Sequence, residues 1–255
     1  MGAQTVVADV ADELARRVVT GEYAPGDLMP SVRQVAEEFD MNRATAQLVL
    51  GRLESYGFVD AHRGRGFTVR DVHHAGGVDV YRRLFRLAGP EAAAEMFGNI
   101  VAAERAIVLE ALLDYTDAGP AAELDAVRAA IGELENLARA DAPEYARLLA
   151  VELELVRTLL GALGHTMQRA VLNSVGDMLF EVPAAVEAYF AASPDLHVLV
   201  WQALLAVWES EAGPSQAQLS LFEDLFGLYH EKVVARFGEL AGLGRGASGR
   251  RAATA

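Results

Sequence analysis

The sequence lacks several residues on which common kinds of site depend. Its 255 residues include no cysteine, which excludes disulfide frameworks, thiolate zinc sites and cysteine nucleophiles. Lysine occurs once, at Lys232, so a mechanism that needs a Schiff-base lysine has a single candidate. Basic residues are scarce overall, because 22 Lys and Arg face 36 Asp and Glu and leave a formal net charge of −14. A chain with this balance is not a general binder of polyanions.

The sequence also lacks a long apolar run. The most apolar stretch, Leu196 to Trp208, is interrupted by His197 and Gln202. A helix that crosses a bilayer needs about 20 apolar residues, so this shorter stretch predicts a buried helix instead. The N-terminus carries Asp9 and Asp12 and has no basic segment followed by an apolar one, as a signal peptide has. We therefore expect a soluble, cytoplasmic protein without a membrane partner.

The sequence changes character near residue 71. Before this point short apolar patterns alternate with Gly and Pro, and after it come long segments rich in Ala, Leu and Val. Paired glycines near the end of the segment 71–78 lower the cost of bending and predict a linker. We expect four parts: a domain at 1–70, a linker at 71–78, a second domain at 79–241 and a disordered tail at 242–255.

The first part has the pattern of three helices followed by a β-hairpin. Ser31 begins a capping-box pattern, Asn42 is suited to cap the next helix, and Gly57 stops that helix. Two short strands are predicted at 58–62 and 67–70, with a Gly-containing turn between them.

The second part shows apolar residues at helical spacing and no strand pattern, which predicts an antiparallel helical bundle. The chain as a whole is therefore expected to be mainly α, with one small hairpin. The predicted helices of the second part lie at about 79–88, 91–116, 120–139, 143–163, 165–181, 183–191, 195–210 and 215–240.

Two short helices joined by a tight turn and followed by a basic hairpin are the parts of a winged helix-turn-helix. In such domains the N-terminus of the second helix presents polar side chains to base edges in the major groove of DNA. The charge is distributed accordingly, since residues 41–70 carry five Arg and two acidic residues. The predicted contacts with double-stranded DNA are Ser31, Arg33, Asn42, Arg43, Thr45, Gln47, Arg63, Gly64 and Arg65.

These residues resemble the GntR family of bacterial transcription regulators. The segments Gly21 to Ala36, Asn42 to Gln47 and Arg52 to Val59 carry the similarity, and the hairpin completes it. The resemblance implies a homodimer that binds operator DNA under the control of a small-molecule effector, and we expect a repressor. Many members have Thr where Ala44 stands and Arg where Gln47 stands. Gln favours adenine geometry, whereas Arg pairs with guanine.

The length of the chain and its lack of strand patterns after residue 78 favour the branch of this family with an all-helical, FadR-type effector domain. One alternative within the branch is a domain that responds to fatty acyl-CoA. Similar features are Leu163 to His165, Ala170 to Asn173 and Ala188 to Phe190, while His230 and Val234 stand where that domain has Ser and Trp. The residues predicted to contact a ligand are Asn173, His197, Tyr229 and His230.

The other alternative is the metal-binding FCD domain, which binds small organic acids. His197 and His230 fall where the resemblance places two histidine ligands, and Glu152 falls near the place of an Asp ligand. Val156 occupies the position of a further histidine. Imidazoles and a carboxylate suit zinc or a similar divalent ion, so these three residues are the predicted metal set.

An enzyme is the main alternative class of protein. It would use His197, His230 and Glu152 around a metal-bound water. The sequence contains no HExxH helix, no GxSxG elbow and no Walker loop, and the DNA-binding pattern needs no catalytic partner. The sequence therefore predicts a ligand-responsive transcriptional regulator and not an enzyme.

Overall fold

The computed structural model describes residues 3–118, 124–210 and 213–243. The chain divides between Gly89 and Pro90 into two compact units. Each unit has its own buried apolar core, and each is described separately below.

The first unit contains, within its described residues, three helices followed by a hairpin and then two further helices. Strands β1 and β2 are antiparallel, with Val59 opposite Val69 and His62 opposite Gly66. The predicted order of three helices and a hairpin is therefore confirmed, with small shifts at the ends of the elements. The elements are α1 Ala3–Val19, α2 Val32–Glu38, α3 Arg43–Ser55, β1 Val59–His62, β2 Gly66–Val69, α4 Val72–Ala75 and α5 Val78–Leu87.

Gly57 shows why the chain leaves α3 where it does. Its φ of 83° lies in the left-handed region, which side chains other than that of glycine disfavour. A Cβ at this position would also lie 2.8 Å from a methyl group of Val80. The chain therefore turns sharply here, and Phe58, directly after the turn, is fully buried before β1 begins.

The segment 71–78, which the sequence predicts as a linker, contains helix α4. Asp71 Oδ1 accepts a hydrogen bond from the backbone N–H of His74 at 3.1 Å and caps this short helix. His73 and His74 are exposed, while Val72 is buried. Part of the segment is therefore helical and packed, although the predicted domain limits themselves stay a prediction.

The second unit is helical throughout its described residues, as predicted. Helices α10 and α11 begin at Pro183 and Pro194, where a missing N–H costs no intrahelical hydrogen bond. The predicted helix at 120–139 begins outside the described residues, as does most of the predicted tail. The helices are α6 Pro90–Ala118, α7 Leu124–Ala138, α8 Tyr145–Ala162, α9 Thr166–Phe180, α10 Pro183–Tyr189, α11 Pro194–Trp208 and α12 Gln216–Leu240.

Helix α8 lies in the middle of this unit and packs against α6, α7, α9 and α10. Its apolar side chains Leu148, Leu155 and Leu159 are almost completely buried. Leucines at this helical spacing make one continuous apolar face, which explains the central place of the helix. Two charged residues also point into this region, Glu152 of α8 and Glu104 of α6, and they belong to the buried polar groups described below.

Within the described residues, no single helix is long and apolar enough to cross a membrane. Helices α10 and α11 together meet the length and composition for a span, but they are bent by 59° relative to each other.

Candidate functional site

Helix α2 begins at a defined point because Ser31 caps it. The Ser31 hydroxyl accepts a hydrogen bond from the backbone N–H of Gln34 at 3.3 Å, and the Gln34 side chain accepts one from the Ser31 N–H at 2.9 Å. The cap places Arg33 in the first turn, with 68% of its side chain exposed. Glu37 lies 3.5 Å from Arg33, a surface ion pair that contributes little and that a phosphate can replace.

Helix α3 is capped in a similar way at Asn42. Asn42 Oδ1 accepts one hydrogen bond from the backbone N–H of Thr45 at 2.9 Å and another from the Thr45 hydroxyl at 3.2 Å. Both side chains are therefore held at the N-terminus of the helix. Arg43 is the first helical residue after the cap, and it is exposed.

The two faces of α3 differ sharply in exposure. Its inner face packs against α1 and α2. The side chains of the outer face, among them Gln47 and Leu48, are exposed. The inner side chains, all buried, are Ala46, Val49, Leu50 and Leu53.

The hairpin of β1 and β2, which we call the wing, carries two exposed arginines at its tip. Arg63 and Arg65 alternate with Gly64 and Gly66, whose φ values of 77° and 100° lie in the left-handed region. The backbone N–H of Arg65 donates to the His62 carbonyl at 3.0 Å and closes the turn. Glycines at these places allow a tight turn and leave the backbone accessible to a ligand.

These elements enclose one cleft, which we call the arginine cleft, between the start of α2, helix α3 and the wing. Its volume is about 860 Å³. Its lining, which lies wholly within the described residues, contains four Arg and no Asp or Glu, so it attracts anions although the whole chain is acidic. The lining residues are Pro30, Ser31, Val32, Arg33, Arg43, Gln47, Ala61, His62, Arg63, Gly64, Arg65, Gly66 and Phe67.

The arginine cleft brings together most of the residues predicted to contact DNA. The exceptions are Asn42 and Thr45, whose side chains pair with each other at the start of α3 and do not line the cleft. Sequence reasoning missed His62, which lines the cleft, and Leu48, which is exposed on α3. The exposure of Leu48 is predictable from the sequence, because its spacing relative to the apolar residues of α3 places it on the outer face of the helix.

In the second unit, Glu104 of α6 and His230 of α12 form a buried pair. Glu104 is 7% exposed and His230 is 4% exposed, with 3.0 Å between Glu104 Oε2 and His230 Nε2. His230 Nδ1 lies 2.7 Å from the carbonyl oxygen of Phe226, which can only accept, so Nδ1 carries a hydrogen. The hydrogen bond between Glu104 Oε2 and His230 Nε2 then needs one proton, carried by one of these two atoms. The Tyr189 hydroxyl donates to the same Glu104 oxygen at 3.3 Å.

Glu152 of α8 and His197 of α11 form a second pair. His197 Nδ1 lies 2.9 Å from Glu152 Oε1, and the Trp201 indole N–H donates to the same oxygen at 3.2 Å. His197 Nε2 is buried and has no hydrogen-bond partner among the described residues. A buried polar atom without a partner costs about 1–3 kcal/mol, so a ligand that formed a hydrogen bond with this nitrogen would recover that cost.

Two tyrosines connect the pairs. The ring of Tyr229 packs against both His197 and His230, with centroid distances of 5.3 and 4.9 Å, and its hydroxyl donates to the Tyr189 carbonyl at 2.7 Å. Burial raises the pKa of Tyr189 and of Tyr229 well above the usual value of 10, with further contributions from the negative charges of Glu104 and Glu152. Both phenols therefore keep their protons and act as hydrogen-bond donors at neutral pH.

The predicted metal set is not found as a group of ligands. Both ring nitrogens of His230 are occupied, by Glu104 and by a backbone carbonyl, while Glu152 pairs with His197. Among the described residues there is no group of three or more His, Asp and Glu side chains that could hold a metal ion. The arrangement therefore does not fit the zinc predicted for Glu152, His197 and His230. Asn173, predicted to contact a ligand, lies exposed on α9, where it accepts a hydrogen bond from Arg157 at 2.7 Å.

The match to a known family lies within the first unit. Residues 7–69 match the model of the family described as bacterial regulatory proteins, gntR family. The HTH-type transcriptional regulator Mce2R of Mycobacterium tuberculosis (strain CDC 1551 / Oshkosh) is 36% identical over 81 residues, which cover 32% of this chain and 34% of that protein. The HTH-type transcriptional regulator YhcF of Bacillus subtilis (strain 168) is 34% identical over 64 residues, which cover 25% of this chain and 53% of that protein. The chain thus spans about a third of the length of the first relative and about half of that of the second.

Solved structures resemble the chain over more of its length but less closely. Lar of Listeria monocytogenes is 14% identical with a TM-score of 0.48, covering 92% of this chain and 94% of that chain. McbR/YncC of E. coli is 14% identical with a TM-score of 0.42, covering 92% of this chain and 98% of that chain. Residues 7–69 are therefore similar to the gntR family of bacterial regulatory proteins, over about a quarter of the chain.

Proposed function

We propose that this protein is a transcriptional regulator that binds operator DNA as a homodimer and responds to a small molecule bound in its helical unit. The observation that carries the proposal is the arginine cleft within residues matched by the gntR family model. Four guanidinium groups line it in an otherwise acidic chain, and they lie around the N-termini of two capped helices. This arrangement supports binding to phosphates and base edges.

The parts of the cleft divide between positioning and reading. Arg33 at the start of α2 and the wing residues Arg63 and Arg65 are placed for the phosphate backbone, which fixes the register of the protein on the duplex. Arg43 and Gln47 lie on α3, the helix that enters the major groove in a helix-turn-helix domain, and they are the polar side chains that reach base edges. Phosphate contacts of this kind make binding strongly salt-dependent.

The proposed homodimer rests on the two-fold symmetry that operators usually have. A winged domain reads one half-site, and two copies related by a two-fold axis read two half-sites separated by a whole number of helical turns. A protein that binds in this way across a promoter excludes polymerase, which is the basis for proposing a repressor. Repression can be tested with a reporter gene placed under the operator. Lower expression of the reporter after deletion of the protein would contradict repression.

To test DNA binding, the full chain is first used to select the fragments that it binds from a random DNA library. The selected duplex is then titrated with the wild type, with Arg43→Ala and with Arg139→Ala. Loss of a base-reading arginine costs about 1–3 kcal/mol, so Arg43→Ala should bind about 5- to 150-fold more weakly at each half-site. Arg139, 70% exposed in the turn directly after α7 of the second unit, is the matched control, and Arg139→Ala should bind as the wild type does.

The same titration reports stoichiometry, and we expect two chains per selected duplex. Wild-type affinity in Arg43→Ala would remove α3 as the recognition helix. Failure of the wild type to enrich any sequence would remove the proposed function altogether.

The proposed effector site is the surrounding of His197. The buried Nε2 of His197 offers one polar contact. The ring centroids of Phe190 and Tyr229 lie 4.8 and 5.3 Å from the centroid of the imidazole. One polar contact among aromatic rings suits the apolar chain and the carbonyl oxygen of a fatty acyl group. The effector acts through its different affinity for the DNA-bound and the free dimer.

A further inference from the structure

An exposed leucine lies on the outer face of the recognition helix. Leu48 is 63% exposed, because the neighbouring positions on α3 that face the core are taken by Val49 and Leu50. The outer face around it is open, since Ala44 one turn earlier is exposed and a Cβ at Gly51 would meet no atom within 4 Å. A large apolar side chain thus projects from the domain without covering any part of it.

A single exposed leucine on a protein surface is ordinary and needs no explanation. What distinguishes Leu48 is its position directly beside Gln47, which lines the arginine cleft on the same helix. If α3 enters the major groove, Leu48 enters with it and contacts base edges rather than water. This step rests on the proposed DNA-binding function.

The major groove presents one apolar group among its base edges, the C5 methyl of thymine. The remaining groups there are hydrogen-bond donors and acceptors of adenine, guanine and cytosine. A leucine against any of these displaces water without replacing its hydrogen bonds, which disfavours such a pair. A leucine against a thymine methyl buries apolar surface on both sides, which favours that pair.

We propose that Leu48 is a specificity-determining residue that reads a thymine methyl group in each operator half-site. The contact is independent of the arginines, which act through charge and hydrogen bonds. It is also separate from Gln47, whose amide has the geometry to pair with adenine. The two side chains, one polar and one apolar, therefore make α3 a reader of A·T pairs at two separate positions.

The test replaces thymine by deoxyuridine, which removes the C5 methyl and leaves the Watson–Crick edge intact. Each thymine of the selected operator is replaced in turn, symmetrically in both half-sites. The affinities of wild type and Leu48→Ala are measured for every duplex. Loss of one buried methyl group corresponds to about fourfold weaker binding in each half-site. Ala is at least as good a helix former as Leu, so α3 remains folded in the variant.

We expect one thymine position at which the wild type loses affinity with deoxyuridine and Leu48→Ala does not. Leu199→Ala is the matched control, because Leu199 is a leucine of similar exposure, 60%, on α11 of the second unit. It should keep the wild-type response to deoxyuridine.

Two results would overturn the proposed contact between Leu48 and a thymine methyl group while leaving the proposed function intact. One is a sequence-specific complex that is insensitive to every replacement by deoxyuridine. The other is a loss of affinity that Leu48→Ala shows as strongly as the wild type. If no sequence is selected at all, the proposed function fails, and the contact fails with it.

Discussion

Glu104 and His230 share one proton in the interior of the helical unit, and this sharing explains how two ionisable residues are tolerated there. An isolated buried charge is very costly, whereas a pair with its hydrogen bonds satisfied is not. The satisfied groups include the Tyr189 hydroxyl and the backbone carbonyl of Phe226. The pair is therefore a structural element of the core, and neither residue is left to hold a metal.

This arrangement predicts different effects for two substitutions of Glu104. In Glu104→Gln the amide can donate to His230 Nε2 and to the Tyr189 oxygen, so the free energy of unfolding should fall by less than about 1 kcal/mol. In Glu104→Leu, His230 Nε2 and the Tyr189 hydroxyl both lose their hydrogen bond to residue 104. Each loss should lower the free energy of unfolding by about 1–3 kcal/mol. Urea denaturation of the full chain, followed by the fluorescence of its Trp residues, measures both. Equal losses in the two variants would show that the carboxylate acts through its charge and not through the shared hydrogen bond.

At the scale of elements, the recognition helix depends on its cap. The Asn42 side chain accepts hydrogen bonds from the backbone N–H and from the hydroxyl of Thr45, and these bonds hold the start of the helix in place. The sequence predicts both residues as DNA contacts, but the structure uses their side chains within the protein. Their effect on DNA binding is then expected to come through the position of Arg43, the next residue.

Substitution of Asn42 separates these two functions. Asn42→Ala removes the cap and should lower the free energy of unfolding by about 1 kcal/mol, with weaker operator binding as the N-terminus of α3 frays. Asn42→Ser keeps a capping oxygen and should change both quantities little. Thermal unfolding and operator titration are measured on the same samples. Weak binding by both variants without any change in stability would mean that Asn42 contacts DNA directly.

At the scale of the whole molecule, regulation requires that the effector and the operator influence each other's binding. By linkage, a compound that weakens operator binding by some factor must itself bind more weakly to the operator complex by the same factor. His197 offers a way to separate this coupling from DNA binding. It lies in the helical unit, and the arginine cleft lies in the winged one.

The expected effector response can be tested with fatty acyl thioesters, free fatty acids and small carboxylic acids, scored by release of the selected operator. For a compound that releases it, His197→Asn should abolish the response, because its amide keeps a donor toward Glu152 but removes the atom at the Nε2 position. His197→Gln, which restores a polar group there, should recover part of it. Operator affinity without the compound should be unchanged in both variants. A normal response in His197→Asn would place the effector elsewhere.

Much of the fold follows from local chemistry. The periodicity of apolar residues, the caps at Ser31 and Asn42 and the break at Gly57 predict the helices and the hairpin to within a few residues. These signals act over one or two turns of chain, so they are visible in the sequence. The short helix α4 was missed because its four residues lie between turns and show no apolar period.

The sequence by itself determined the winged domain, the four arginines of its cleft and the helical character of the second unit, because periodicity, capping and charge are local properties. Tertiary structure alone decided the partners of the buried side chains. His230 pairs with Glu104, 126 positions away in the chain, and not with the predicted metal set. Partner choice across the core depends on which helices pack together and at what depth, and no short-range pattern in the sequence encodes either.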